Sequence, residues 1–281
     1  MISVKPLLRL DMMPHILCPG CGHGIVMGAL LRVLGRRFTN LNKVALVAGI
    51  GCSSRIVGYI DACTLHTTHG RALTFATGLK LARPELTVIV VTGDGDGLAI
   101  GGNHLIHAAR RNVDLTCILF NNETYGMTGG QAAPTTVAHA YTTTTPYDNK
   151  EPPFDAARLV EAAGATFVAR AQAFRPDLLE DVLDQAISHP GFAFIDVMTD
   201  CTEYFARKNA LGIGSDLLFS QGRAEVDVAQ DLNARRTLYP TEGWLIRETQ
   251  PMGVLHRSQR STLEEQLGLL PAKGDGADVA R

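Results

Sequence analysis

LTVIVVTGDGDG, residues 86–97, is the stretch on which the fold turns. Its first part is an almost wholly apolar, β-branched run, as expected of a strand buried on both faces of a helix-covered parallel sheet. It then breaks into alternating glycines and aspartates at the strand's end. An isolated Gly-Asp-Gly is commonly a simple turn, so the surrounding segments have to distinguish a turn from a built site. KVALVAGIG (43–51) and DLTCILFNN (114–122) read as further buried strands, and GFAFIDVM (191–198) as another. Helical spacing runs through HGIVMGALLRVLGRR (23–37), GRALTFATGLKLARP (70–84), LAIGGNHLIHAARR (98–111), PFDAARLVEAAG (153–164) and RPDLLEDVLDQAISH (175–189). Strands alternating with helices predict an α/β, doubly wound and mostly parallel sheet, and ligands bind such sheets outside the carboxyl ends of the strands. The segments IGCSSR, GDGDG and NNETYGMTGGQ each follow one predicted strand, so all three fall at that edge. TTVAHAYTTTTPYDNKEPP (135–153) is expected to be a long loop against a ligand or partner. Beyond Cys201 the pattern loosens into a C-terminal arm, and the end, AKGDGADVAR, is expected to fray.

The chain has 281 residues, 46% of them hydrophobic and 19% charged, enough for a sizeable core. A formal net charge of -2 offers no basic field for nucleic acid. The N-terminal stretch MISVKPLLRLDMMP has no signal-like apolar region, and no apolar run reaches membrane-spanning length, so a cytoplasmic protein without a membrane partner is expected.

Gly93 and Gly95 allow backbone N–H groups to approach a phosphate, aided by the N-terminal end of the following helix. Asp94 between them suits a hard cation such as Mg²⁺, which takes oxygen ligands and bridges to diphosphates. Asn122, closing the next strand, and the carbonyl of Thr124 supply further oxygens. The stretch lacks the remaining ligands of an EF-hand and the Lys-Ser/Thr of a Walker loop, and Leu98 stands where a dinucleotide loop needs glycine. Among the six cysteines, Cys18 and Cys21 form a CxxC pair, with Cys52 and Cys201 distant. Spacing alone leaves zinc and iron–sulfur equally open. Cys117, in mid-strand, is expected to be a buried small hydrophobe, and Cys63 to be structural.

CPGCGHG, GIGCSSR, HGRALTFATGLKLA, GDGDGLAIGGNHLIHAARRN and NNETYGMTGGQ together resemble the β subunit of 2-oxoacid:ferredoxin oxidoreductases, most closely those acting on 2-oxoglutarate. The five blocks occur in the family's order, and the resemblance runs roughly from residue 15 to 205. It implies the thiamine diphosphate-binding fold, with residues 1–200 as the thiamine diphosphate and 4Fe-4S domain and 201–281 as a C-terminal extension. It makes Asp94, Asn122 and Thr124 the Mg²⁺ ligands, and Cys18, Cys21, Cys52 and Cys201 the holders of one 4Fe-4S cluster. Before Cys201 the chain reads MTD, where the family often has Ser-Pro. Ile50, Gly51, Ser53, His69, Gly93, Gly95, Asp96, Gly126 and Met127 would line the cofactor, and Arg55 would meet the oxoacid carboxylate. For two of these there are plainer roles: His69 in packing or capping, and Asp96 as a cap for a helix starting at Leu98. An arginine at the position of Arg55 is more often simply salt-bridged, and His104 and His107, three apart on one helix, are expected to pack rather than bind metal.

The implied activity is coenzyme A-dependent oxidative decarboxylation of a 2-oxoacid, with electrons leaving singly through the cluster to ferredoxin. The glutamate that thiamine enzymes need is absent from any matching motif, so an α subunit is expected to supply it in an αβ or α₂β₂ enzyme. Pyruvate and branched-chain or aryl 2-oxoacids are alternative substrates. A non-oxidative thiamine decarboxylase or synthase would not need the cysteines, and a zinc-stabilised assembly subunit would need neither Asp94 nor Asn122.

Overall fold

A computed structural model describes residues 3–223 and 250–270, with the short strands 225–227, 237–238 and 247–248 between them. Helix α1 (His23–Arg37) starts after Gly22, whose φ of +80° only glycine adopts readily, and ends on Arg36 and Arg37, which suit the negative end of the helix. Strand β1 (Val44–Ala48) follows, then β2 (Cys63–His66), α2 (Ala72–Ala82), β3 (Thr87–Gly93) and α3 (Gly102–Arg111). After β4 (Thr116–Asn121), a tight hairpin of β5 (Thr124–Tyr125) and β6 (Gln131–Ala132) opens the long loop to α4 (Ala156–Ala162). Then come β7 (Phe167–Gln172), α5 (Pro176–Ser188), β8 (Ala193–Met198), α6 (Phe205–Lys208) and α7 (Gly214–Arg223). The C-terminal part adds β9 (Glu225–Asp227), β10 (Thr237–Leu238), β11 (Arg247–Glu248), β12 (Gln250–Arg257) and α8 (Leu263–Gln266).

The main sheet has the order β2-β1-β3-β4-β8-β7-β12-β9. From β2 through β7 all pairings are parallel, while β12 runs antiparallel to β7. The doubly wound sheet expected from sequence is therefore present. Successive strand residues feed opposite layers: Leu46, Ile89, Val91, Ile118 and Phe120 pack with α1 and α5, whereas Val47, Val88, Val90, Cys117 and Leu119 pack with α2, α3 and α4. Cys117 is fully buried, as its place in mid-strand implied.

Three differences from the sequence reading have local causes. Residues 95–97 already coil as a wide π-type turn (Gly95–Ile100), so the helix expected from Leu98 is split and α3 begins at Gly102. Gly101 permits this, because a Cβ there would lie 2.4 Å from the Asp96 carbonyl oxygen. Strand β7 was unforeseen because it carries Arg170, which is buried and paired with Asp196 at 3.0 Å and Asp155 at 2.9 Å. Strand β2 is a short, largely exposed edge strand, which puts Cys63 at the surface. Downstream of residue 200 the chain returns to the sheet through β12, and α8 is tied down by Glu264, whose carboxylate accepts from the Asp114 amide. The expected fraying of AKGDGADVAR lies outside the described residues.

Candidate functional site

Successive strands are added on one side of β1 and then on the other, so the strand order reverses between β1 and β3, the switch point at which open α/β sheets bind ligands. Register aligns the strand ends there: Ala48 with Val91 and His66, Gly93 with Phe120, and Asn121 with Met198. The loops bearing Ile50 to Cys52, His69, Asp94, Asn122 and Cys201 therefore leave the same edge.

Asp94, at the end of β3, is 3% exposed. Its Oδ1 accepts from the Gly95 amide at 2.8 Å and its Oδ2 from the Thr135 hydroxyl at 2.7 Å. Burial pushes its carboxyl up to about 7, with the nearby carboxylate of Glu123 adding to the rise; Thr135 and the Gly95 amide oppose it. A bound cation would favour the ionised form of Asp94 against this burial. Asn122 and Thr124 are buried in the facing turn, where Asn122 Oδ1 accepts from the Thr124 amide at 3.4 Å. Tyr125 closes the gap by donating to the Gly95 carbonyl at 3.2 Å. A Cβ on Gly95 would strike its ring at 2.2 Å, so glycine is required by this close approach. An oxygen donor set on two adjacent strand ends, beside glycine backbone, fits a hard cation with a diphosphate.

Asp96 does not cap a helix. Its Oδ1 accepts from the amides of Gly70 at 2.6 Å and Ile50 at 3.2 Å and faces His69 Nδ1 at 2.7 Å, while Oδ2 accepts from Thr92 at 2.6 Å. One carboxylate thus fastens three of the site's loops. Ser53 is buried with its hydroxyl against Gly93, whereas Ile50 and Met127 are exposed at the rim. Gly51 has a φ of +136°, which fits a glycine at the bend into the Cys52 loop. Arg55 is also exposed and, among the described residues, pairs with no carboxylate. His104 and His107 lie apart from this edge on α3, where His107 Nδ1 accepts from Arg110. Sequence reasoning passed over Glu123, Tyr125 and Thr135. The φ of +59° that bends Glu123 toward Asp94 and the 41-residue reach from Thr135 leave no local signal.

All six cysteines are free of disulfides. Four of them come to this edge on three loops. A Cβ on Gly126 would lie 3.4 Å from Cys201 Sγ, 3.6 Å from Cys52 Sγ and 3.7 Å from Asn122 Nδ2, so the Asn122 side chain and these two thiols are contiguous. The Cys18–Cys21 turn joins them through the Asp200 amide, which donates to the Cys21 carbonyl at 3.1 Å, and Gly20 packs backbone to backbone on Gly214. Burial pushes the Cys52 thiol up to about 11, with Cys201, Cys18 and Cys21 each adding to the rise. Among the described residues, no three His, Cys, Asp or Glu side chains converge tightly enough for a single metal ion. Free thiols brought to one edge of the sheet are a donor set that an iron–sulfur cluster takes.

This fold and edge define a thiamine diphosphate-binding enzyme. Residues 47–197 match the family model described as thiamine pyrophosphate enzyme, C-terminal TPP binding domain. The chain is 52% identical over 204 residues to the 2-oxoglutarate synthase subunit KorB of Methanothermobacter marburgensis, covering 73% of this chain and 72% of that one. It is 55% identical over 194 residues to KorB of Archaeoglobus fulgidus, covering 69% and 72%. A solved 2-oxoglutarate:ferredoxin oxidoreductase from Magnetococcus marinus, with 2-oxoglutarate, coenzyme A and succinyl-CoA bound, superposes with a TM-score of 0.82 at 32% identity, covering 95% of this chain and 89% of that one. The chain belongs to the β subunits of the 2-oxoacid:ferredoxin oxidoreductases. Among the described residues no helix is long and apolar enough to cross a membrane.

Proposed function

We propose that this chain, with an α subunit, converts 2-oxoglutarate and coenzyme A to succinyl-CoA and carbon dioxide, passing two electrons to ferredoxin in the reducing setting of the cytoplasm. The observation that carries this reading is the contiguity of the Asn122 side chain with the Cys52 and Cys201 thiols across Gly126. A bound thiamine diphosphate supplies the nucleophilic carbon and electron sink for decarboxylating a 2-oxoacid, and a 4Fe-4S cluster supplies a one-electron exit. Asp94, Asn122 and the Thr124 carbonyl hold Mg²⁺, and Gly93 and Gly95 admit the diphosphate against backbone. Asp96 locks Ile50 and His69 at the rim, where Gly51, Ser53, Gly126 and Met127 complete the lining. Cys18, Cys21, Cys52 and Cys201 hold the cluster. Arg55, exposed and unpaired among the described residues, offers its guanidinium to the substrate carboxylate. Residues 1–200 act as the cofactor-binding unit, and 201–281 as an extension that contributes the fourth thiol and finishes the far side of the sheet.

The test is the anaerobic visible spectrum of the assembled enzyme before and after adding 2-oxoglutarate and coenzyme A. A brown protein that bleaches supports the reading. A brown protein that bleaches only with pyruvate or another 2-oxoacid replaces the substrate, and a colourless zinc protein refutes the redox assignment.

A further inference from the structure

We propose that Thr135 and Thr136 form a bracket that positions the two halves of the divalent-cation site. The inference rests on the assignment of Asp94, Asn122 and Thr124 as the cation's ligands. Those ligands sit just beyond two neighbouring strand ends, where the β3–β4 pairing stops at Gly93 and Phe120. The Pro134-Thr135-Thr136 segment reaches both. Thr135 Oγ1 donates to Asp94 Oδ2 at 2.7 Å, after β3. Thr136 Oγ1 donates to the Glu123 carbonyl at 2.6 Å, within the turn after β4 and between Asn122 and Thr124. Both threonines are buried, at 3% and 2% exposure.

The segment is itself braced. Thr136 Oγ1 accepts from the Ala133 amide at 2.8 Å, and the buried Asn149 side chain donates to the carbonyls of Thr136 and Val137, each at 3.0 Å. The hydroxyl of Thr135 therefore has a fixed position from which to orient a carboxylate. With Gly95 N–H on Oδ1 and Thr135 on Oδ2, each oxygen of the Asp94 carboxylate is held by a donor. Groups that orient metal-binding carboxylates in this manner typically change metal affinity by about 10- to 100-fold when removed. Thr135 and Thr136 are thus positioning residues, acting through Asp94 and through the Asn122–Thr124 turn.

The test uses the assembled enzyme stripped of thiamine diphosphate, with Mg²⁺ titrated calorimetrically at a fixed excess of the cofactor. Thr135→Val keeps the volume and removes the donor; about 10- to 100-fold more Mg²⁺ is then expected for half-maximal cofactor binding. Thr135→Ser keeps the hydroxyl and is expected to restore the wild-type requirement, with melting temperature and cluster spectrum unchanged in both. Thr135→Ala replaces T135V if the latter fails to assemble. Wild-type Mg²⁺ dependence in T135V, or equal impairment in T135S, overturns the bracket. Asp94→Ala separates the two levels: if it binds the cofactor with wild-type Mg²⁺ dependence, the cation-site assignment itself falls. If it abolishes binding while T135V does not change it, the bracket falls alone.

Discussion

Gly49→Ala is expected to damage this protein through one carboxylate, and to become nearly harmless once that carboxylate is gone. A Cβ on Gly49 would lie 1.9 Å from Asp96 Oδ2 and 2.6 Å from both Cγ and Oδ1, and its three nearest neighbours all belong to Asp96. Gly49 does not occupy the left-handed region, so alanine fits the backbone and the cost is steric alone. To relieve the overlap, Asp96 must leave the Gly70 and Ile50 amides, the Thr92 hydroxyl and His69. Losing bonds to a buried charged acceptor, and leaving those donors unmet, costs on the order of 1–3 kcal/mol each, without full additivity. A total of about 3–4 kcal/mol for G49A is expected, and a similar loss for Asp96→Ala, which orphans the same donors. In the double variant the methyl enters the space the carboxylate vacated. G49A in the D96A background should then cost less than about 0.5 kcal/mol, giving a coupling energy of about 3 kcal/mol. Thermal or urea unfolding of the four proteins measures this cycle. Additive losses would refute the reasoning, because they would mean that Gly49 and Asp96 act on different neighbours.

Two further outcomes follow from burial. Cys117→Ser places a hydroxyl in the apolar layer between β4 and α3 and should destabilise by about 1–3 kcal/mol, whereas Cys63→Ser on the exposed edge strand should stay within about 0.5 kcal/mol; a denaturation midpoint for each decides it. His189 is buried with Nε2 2.8 Å from Thr166 Oγ1, and burial first, then Arg257 and His256, lower its pKa. An unfolded histidine titrates near about 6.5, so the unfolded chain takes up protons that the folded one refuses. Stability is fully present above that pH and is lost as the pH falls below it. His189→Gln should flatten the fall in melting temperature between about pH 6.5 and 5, leaving the part due to His23, whose imidazole burial pushes down to about 4. An unchanged pH profile would refute the role given to His189.

Much of this protein was legible from short-range pattern. Buried strands announce themselves as apolar runs, so β1, β3, β4 and β8 and the helices between them were placed to within a few residues, and with them the edge from which Asp94, Asn122 and Cys52 project. Polar chemistry inside an element hid β7, because Arg170 looks unfit for a core strand until Asp196 on the neighbouring strand is known to face it. Edge position hid β2, and the antiparallel return of β12 left no periodic trace. The sequence by itself determined which elements form and which loops carry oxygen and sulfur donors, since periodicity and residue chemistry act over a few neighbouring positions. Only the tertiary structure decided that Asp96 ties the loops of Ile50 and Gly70 together, that Thr135 reaches Asp94, and that the thiols of Cys52 and Cys201 meet beside Gly126. Those contacts join residues from 26 to about 150 positions apart, and strand order, not local sequence, brings them within hydrogen-bond or van der Waals reach.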